Sequence, residues 1–170
     1  MDGKAGCRYV LGMALVRILV DGYSLLHSWP ELAPGRSRFC AAAREELIQR
    51  LTLYQDAVKT PLTIVFDGAN NDIRLSAVES TPELEILYSR TGQTADQIIE
   101  RLAYRFKPYG EILAVTDDFA ERDTVIAMGG LASSCLGFIQ SVENALGELE
   151  DDIKTHNLRE KNRFRSSKNG

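Results

Sequence analysis

The sequence predicts an α/β protein, a three-layer α/β/α sandwich around a mainly parallel central sheet. Three observations carry this. Short, almost continuous apolar runs such as ILV at 18–20 and LTIVF at 62–66 read as strands buried on both faces. Longer segments with apolar residues three and four apart alternate with these runs, as helices covering both faces of such a sheet would. Three runs end on aspartate, at Asp21, at Asp67 and at Asp117-Asp118.

The first predicted strand is Val16–Val20, followed by a loop containing Pro30, Pro34 and Gly35. A helix is predicted over 38–58, with Ala42, Leu47, Leu51 and Tyr54 at helical spacing. Leu62–Phe66 is the second strand, and 69–82 is polar without a clear period. Leu84–Tyr88 is the third strand. Thr94 then caps a helix, with Gln97 as its capping-box partner and Ile98, Ile99, Leu102 and Phe106 as its apolar face. Pro108 and Gly110 stop it. Ile112–Val115 is the fourth strand, Phe119–Met128 a short helix ended by Gly129-Gly130, Leu131–Cys135 an edge strand, and Phe138–Ile153 the last helix.

With 170 residues, 44% of them apolar, the chain can bury one real core. A charged fraction of 26% and a net charge of -4 exclude a disordered chain and give no bulk nucleic-acid signature. An acidic nuclease centre inside a locally basic rim remains compatible with them. Cys7, Cys40 and Cys135 are scattered without metal spacing, which suits a reducing, cytoplasmic setting. The apolar run 9–20 is broken by Gly12 and Arg17 and is too short to span a bilayer, and no secretory cleavage signal follows it, so no membrane role is expected. Residues 1–12 read as an N-terminal extension, 13–153 as the domain and 154–170 as a basic tail. Five acids and no base lie in 143–152, against five bases and one acid in 159–168. The tail reads either as a disordered arm or as a helix laid along RNA.

In an open parallel sheet the carboxyl ends of the strands line one edge, where ligands bind. Asp21, Asp67, Asp117 and Asp118 fall at that edge, and Asp96 joins them from the first turn of a helix. Carboxylates gathered there would repel, and would either share protons or bind a hard cation such as Mg2+ or Mn2+. Each acid also has a plainer role. Asp67-Gly68 is a turn signal, Asp96 suits a helix dipole, and Asp118 with Glu121 resembles a capping box. At this level a nuclease, a metal-dependent phosphatase, a metal-binding regulatory domain and a merely helix-capping edge all stay open. Other site types do poorly. There is no GxGxxG turn, no phosphate loop and no GxSxG around Ser24. His27 and His156 lack companions for zinc, and Tyr23 stands where a haloacid-dehalogenase-type phosphatase would carry its second acid.

The blocks LVDGYSLLHSWPEL, IVFDG, YSRTGQTADQIIE and TDDFAE, in that order and spacing, resemble the YacP-like NYN domain, within the PIN-like nuclease superfamily. The resemblance covers about residues 16–150. It implies a PIN-like sandwich and an endoribonuclease using Mg2+ or Mn2+, with RNA, including mRNA or ribosome-associated RNA, as partner. Asp21 matches the acid ending the family's first strand and Asp96 the acid of its GxTAD motif. The family's Thr-Ser-Asp reads Thr116-Asp117-Asp118 here. The implied catalytic and metal set is therefore Asp21, Asp96 and Asp118, with Asp117 as an extra or substitute ligand and Asp67 as an outer or substrate-facing member.

Ser24 stands where the family commonly has asparagine, and with Glu100 and Thr116 it forms a supporting group. Tyr23 and Trp29 are candidates to stack bases, although Trp29 beside Pro30 also suits loop packing. Arg74 and Arg90 are candidates for phosphate, as are Arg159, Lys161, Arg163 and Arg165 of the tail. The segment GGLASSCLGFI lacks the arginine and glutamate of the family's corresponding region. That departure supports an alternative in which the domain binds RNA or the ribosome without catalysis.

Overall fold

The computed structural model describes residues 15–68 and 80–167. Five strands form one sheet: β1 (Leu15–Asp21), β2 (Leu62–Phe66), β3 (Leu84–Tyr88), β4 (Glu111–Val115) and β5 (Leu131–Ser133). Their order is β3-β2-β1-β4-β5, and every pairing is parallel. The helices are α1 (Gly22–Ser28), α2 (Ala41–Val58), α3 (Ala95–Phe106), α4 (Phe119–Ala127) and α5 (Cys135–Ser167).

Period-two alternation along the strands divides the core into two layers. Ile18 and Val20 of β1, with Ile64 and Phe66 of β2, pack against Leu25 of α1, Leu47 and Leu51 of α2 and Phe138 of α5. Leu19 and Val65 point the other way, into a layer with Ile99 and Leu102 of α3 and Val125 of α4. This is the α/β/α sandwich expected from the sequence. Asp21 has the parity of Leu19, so its side chain leaves β1 toward α3 and α4. Arg17 shares that parity. It stays inside the strand by hydrogen-bonding Thr63 Oγ1 and the Pro82 carbonyl, both at 3.0 Å, with its guanidinium over the Phe106 ring.

Several elements differ from the sequence expectation. β1 runs one residue further at each end and so includes Asp21. The loop expected after it begins with α1, and α2 begins at Ala41 rather than at residue 38. The last helix continues unbroken through Ser167, 33 residues in all, where the sequence suggested an end near Ile153. No helix among the described residues is long and apolar enough to cross a membrane.

Candidate metal centre

The strand order changes direction between β1 and β4, and a crevice forms at the carboxyl ends of such neighbours. Asp21 ends β1 there. It is also the N-cap of α1: the Ser24 amide donates to Oδ1 at 3.2 Å and the Ser24 hydroxyl to Oδ2 at 2.9 Å. Asp96 comes from the first turn of α3, whose start is fixed by the reciprocal Thr94–Gln97 capping box. The third acid is Glu121, in the first turn of α4 and only 6% exposed. Asp21, Asp96 and Glu121 each present a carboxylate oxygen within 4.8 Å of the other two.

This grouping perturbs its members. Burial pushes the Asp21 carboxyl above its ordinary value, and Asp96 adds to the rise while Ser24 opposes it. Burial pushes Glu121 up to about 8; the Thr116 hydroxyl opposes this, and Asp96 and Asp21 add to it. Both Glu121 oxygens are buried without a partner of normal hydrogen-bond geometry. Buried, mutually repelling carboxylate oxygens with free lone pairs fit a hard divalent cation.

A sequence model of the YacP-like NYN domain matches residues 18–169. The chain belongs to the YacP-like NYN domain family. With that family comes homology to the PIN-like nucleases. The Bacillus subtilis protein YacP is 28% identical over 138 residues, 81% of each chain. The crystal structure of Rae1 (YacP) from Bacillus subtilis, in a tryptophan-to-leucine mutant, superposes with a TM-score of 0.70 at 26% identity over 83% of both chains. A second crystal structure of Rae1 (YacP) from Bacillus subtilis gives 0.65 at 24% identity, over 81% of this chain and 79% of that one, and shares the fold.

Two of the three acids singled out in this NYN domain, Asp21 and Asp96, thus come together, but Asp118 is not the third member of the cluster. Its Oδ1 accepts the amides of Ala120 and Glu121 at 2.9 and 3.3 Å, capping α4. Asp117 turns to the opposite side of the sheet, where it accepts from the Ser28 hydroxyl and the Cys135 amide, both at 2.9 Å. Burial alone would raise the Asp117 carboxyl, but these donors outweigh it and hold it below its ordinary value. Asp67 is exposed and accepts from Ser89 Oγ at 2.8 Å. Thr116 is buried and accepts the Asp118 amide at 3.1 Å. Glu100 faces solvent one turn beyond Asp96.

The proposed RNA contacts divide as well. Trp29 is only 4% exposed, with the Arg50 guanidinium 5.9 Å from its ring centre, so it packs the core and offers no open face to a base. Tyr23 is half-buried between Phe39 and Phe66, and its hydroxyl accepts from Arg44. Arg90 is exposed at the turn leading to α3. Arg159, Lys161, Arg163 and Arg165 are exposed on α5, and Arg74 lies outside the described residues.

Glu121 was readable only indirectly. It lies four residues before the fully buried Val125, so both fall on the inner face of α4. An acid on the buried face of a short helix after an acid-terminated strand is a signal. The capping-box spacing from Asp118 gave it a sufficient plainer explanation.

Proposed function

We propose that this NYN domain is an endoribonuclease that hydrolyses RNA phosphodiesters with Mg2+ or Mn2+ held by Asp21, Asp96 and Glu121. The observation that carries this reading is the convergence of three partly or fully buried carboxylates at the sheet's switch point. Family homology to nucleases supports the hydrolytic part of this reading, and mRNA or ribosome-associated RNA is the substrate we propose with it. A bound cation would neutralise phosphate charge and make water a better nucleophile. The chain's own residues supply the rest. Ser24, donating to both Asp21 oxygens, fixes the orientation of that carboxylate. The cap at Thr94 sets Asp96, and the cap at Asp118 sets the first turn of α4 and with it Glu121. Arg90, exposed before α3, would meet a flanking phosphate.

The test is cleavage of single-stranded and structured RNA by purified protein with Mg2+, Mn2+ or EDTA, beside Asp21→Asn and Glu121→Gln. Cleavage that needs the cation and falls about 100-fold or more in either variant is expected. Equal cleavage by wild type and Asp21→Asn would overturn the proposed centre. RNA binding without cleavage under every metal condition would make the domain a binding module instead.

A further inference from the structure

The first turns of α5 pack on the core through Cys135, Phe138, Ile139 and Val142. Every residue from Gly147 to Arg159 is exposed, and so are 161–165. Gly147 to Ser167 spans roughly 30 Å of helix at 1.5 Å per residue. A helix of this length is marginal in water when nothing packs on it. The buried stripe also does not stop where the core does. Leu146, Leu149 and Ile153 follow Val142 on the same face at spacings of four, three and four; that face then carries His156, Asn157 and Glu160 before Phe164 returns to it. Leu149, Ile153 and Phe164 are 37%, 51% and 70% exposed.

Charge along this stretch is divided in sequence. Glu148, Glu150, Asp151 and Asp152 come first, and Arg159, Lys161, Arg163 and Arg165 follow. Within the helix, Lys154 meets Glu150 at 3.8 Å and Arg163 meets Glu160 at 3.4 Å; such exposed pairs contribute little. At 100° per residue, Glu150 and Lys161 flank the apolar stripe on one side, and Asp152, Arg159 and Arg163 on the other.

We propose that this face docks a second copy of the chain as an antiparallel helix pair centred near Thr155. A two-fold axis there lays the acidic half of each copy along the basic half of the other, which is the self-complementarity an isologous interface needs. Glu150 then lies by Lys161 of the second copy, and Asp152 by its Arg159, while Leu146 and Leu149 reach the second copy's Phe164. A parallel pair would set acid against acid. An RNA would meet repulsion along 148–152 and leave Leu149 and Ile153 uncovered. The inference is independent of the nuclease reading.

Sedimentation equilibrium of the full chain at about 100 µM tests it. The expected result is a dimer at about 0.05 M salt whose dissociation constant rises tenfold or more at about 0.5 M. One variant reverses the acidic half (Glu148, Glu150, Asp151 and Asp152 to Lys), and another reverses the basic half (Arg159, Lys161, Arg163 and Arg165 to Glu). Each should be monomeric alone, with unchanged near-ultraviolet circular dichroism, and the two mixed should form a one-to-one heterodimer. A wild-type monomer at low salt would overturn the proposal, as would a mixture that fails to associate. Loss of RNA affinity in the basic-half variant with no change in molar mass would likewise overturn it and assign the helix to RNA.

Discussion

Asp118 and Glu121 sit three residues apart at the start of α4, yet the first gives its Oδ1 to two backbone amides while the second is buried and presents a carboxylate oxygen to Asp21 and Asp96. Substitution should separate these roles. Asp118→Asn keeps a good cap, so melting temperature and RNA cleavage should both stay close to wild type. Asp118→Ala should lose about 1 kcal/mol of stability and, by loosening the turn that carries Glu121, lower cleavage by less than Glu121→Gln does at a temperature where it is folded. Glu121→Gln should leave the fold intact and remove most cleavage. Melting curves beside kcat/KM measurements decide between the two acids, and Asp118→Asn protein that is folded but inactive would put Asp118 back in the centre. Asp21 and Asp96 were legible because strand ends and helix first turns are marked in sequence. The choice between Asp118 and Glu121 was not. It depends on which carboxylate the α4 backbone captures, and spacing alone allows both.

α1 shows what a short element conceals. Seven residues are too few to display a helical period, and Pro30, Pro34 and Gly35 draw the whole segment toward a loop reading. What makes it a helix is Asp21 as cap and the burial of Leu25 and Leu26. Its entry also depends on Gly22. A Cβ there would lie 2.3 Å from the ring of the fully buried Phe66. Gly22→Ala should therefore destabilise by about 1–3 kcal/mol through overpacking. Phe66→Leu should also destabilise alone, but adding it to Gly22→Ala should cost less than the sum, because the smaller side chain removes the clash. Urea midpoints of the two single variants and the double give the coupling, and strict additivity would mean that the ring can move aside. By contrast β2, β3 and α3 were legible almost to the residue. Their signals, an apolar run or a capping box with a clear apolar face, are local and uncontested.

Across the whole molecule, the parallel sheet was legible because both of its faces are covered, and that leaves near-continuous apolar runs in sequence. The electrostatic consequence of that burial was not, because it arises only when α3 and α4 bring Asp96 and Glu121 over the end of β1. It gives the cation-free protein a particular pH dependence. Glu121 ordinarily titrates near 4.5 and is pushed up to about 8 in the fold. Below the lower value both folded and unfolded chains carry the proton. Between the two values the folded chain holds a proton that the unfolded chain releases, so stability falls as pH rises, by up to about 1.4 kcal/mol per unit. Above the upper value the loss is complete. Asp21 is raised too and acts in the same direction. Asp117 is lowered from 3.8, so its contribution is already full above that pH and does not alter the slope. In EDTA the melting temperature should therefore fall between about pH 5 and pH 8, and Glu121→Gln should flatten the fall. A cation must displace the proton, so Mn2+ or Mg2+ should stabilise the wild type more at the upper end of this interval and release protons on binding. Differential scanning calorimetry across that range, with and without cation, checks both halves. An EDTA profile that does not fall, or a cation effect equally large at both ends, would show that Glu121 is already ionised in the fold.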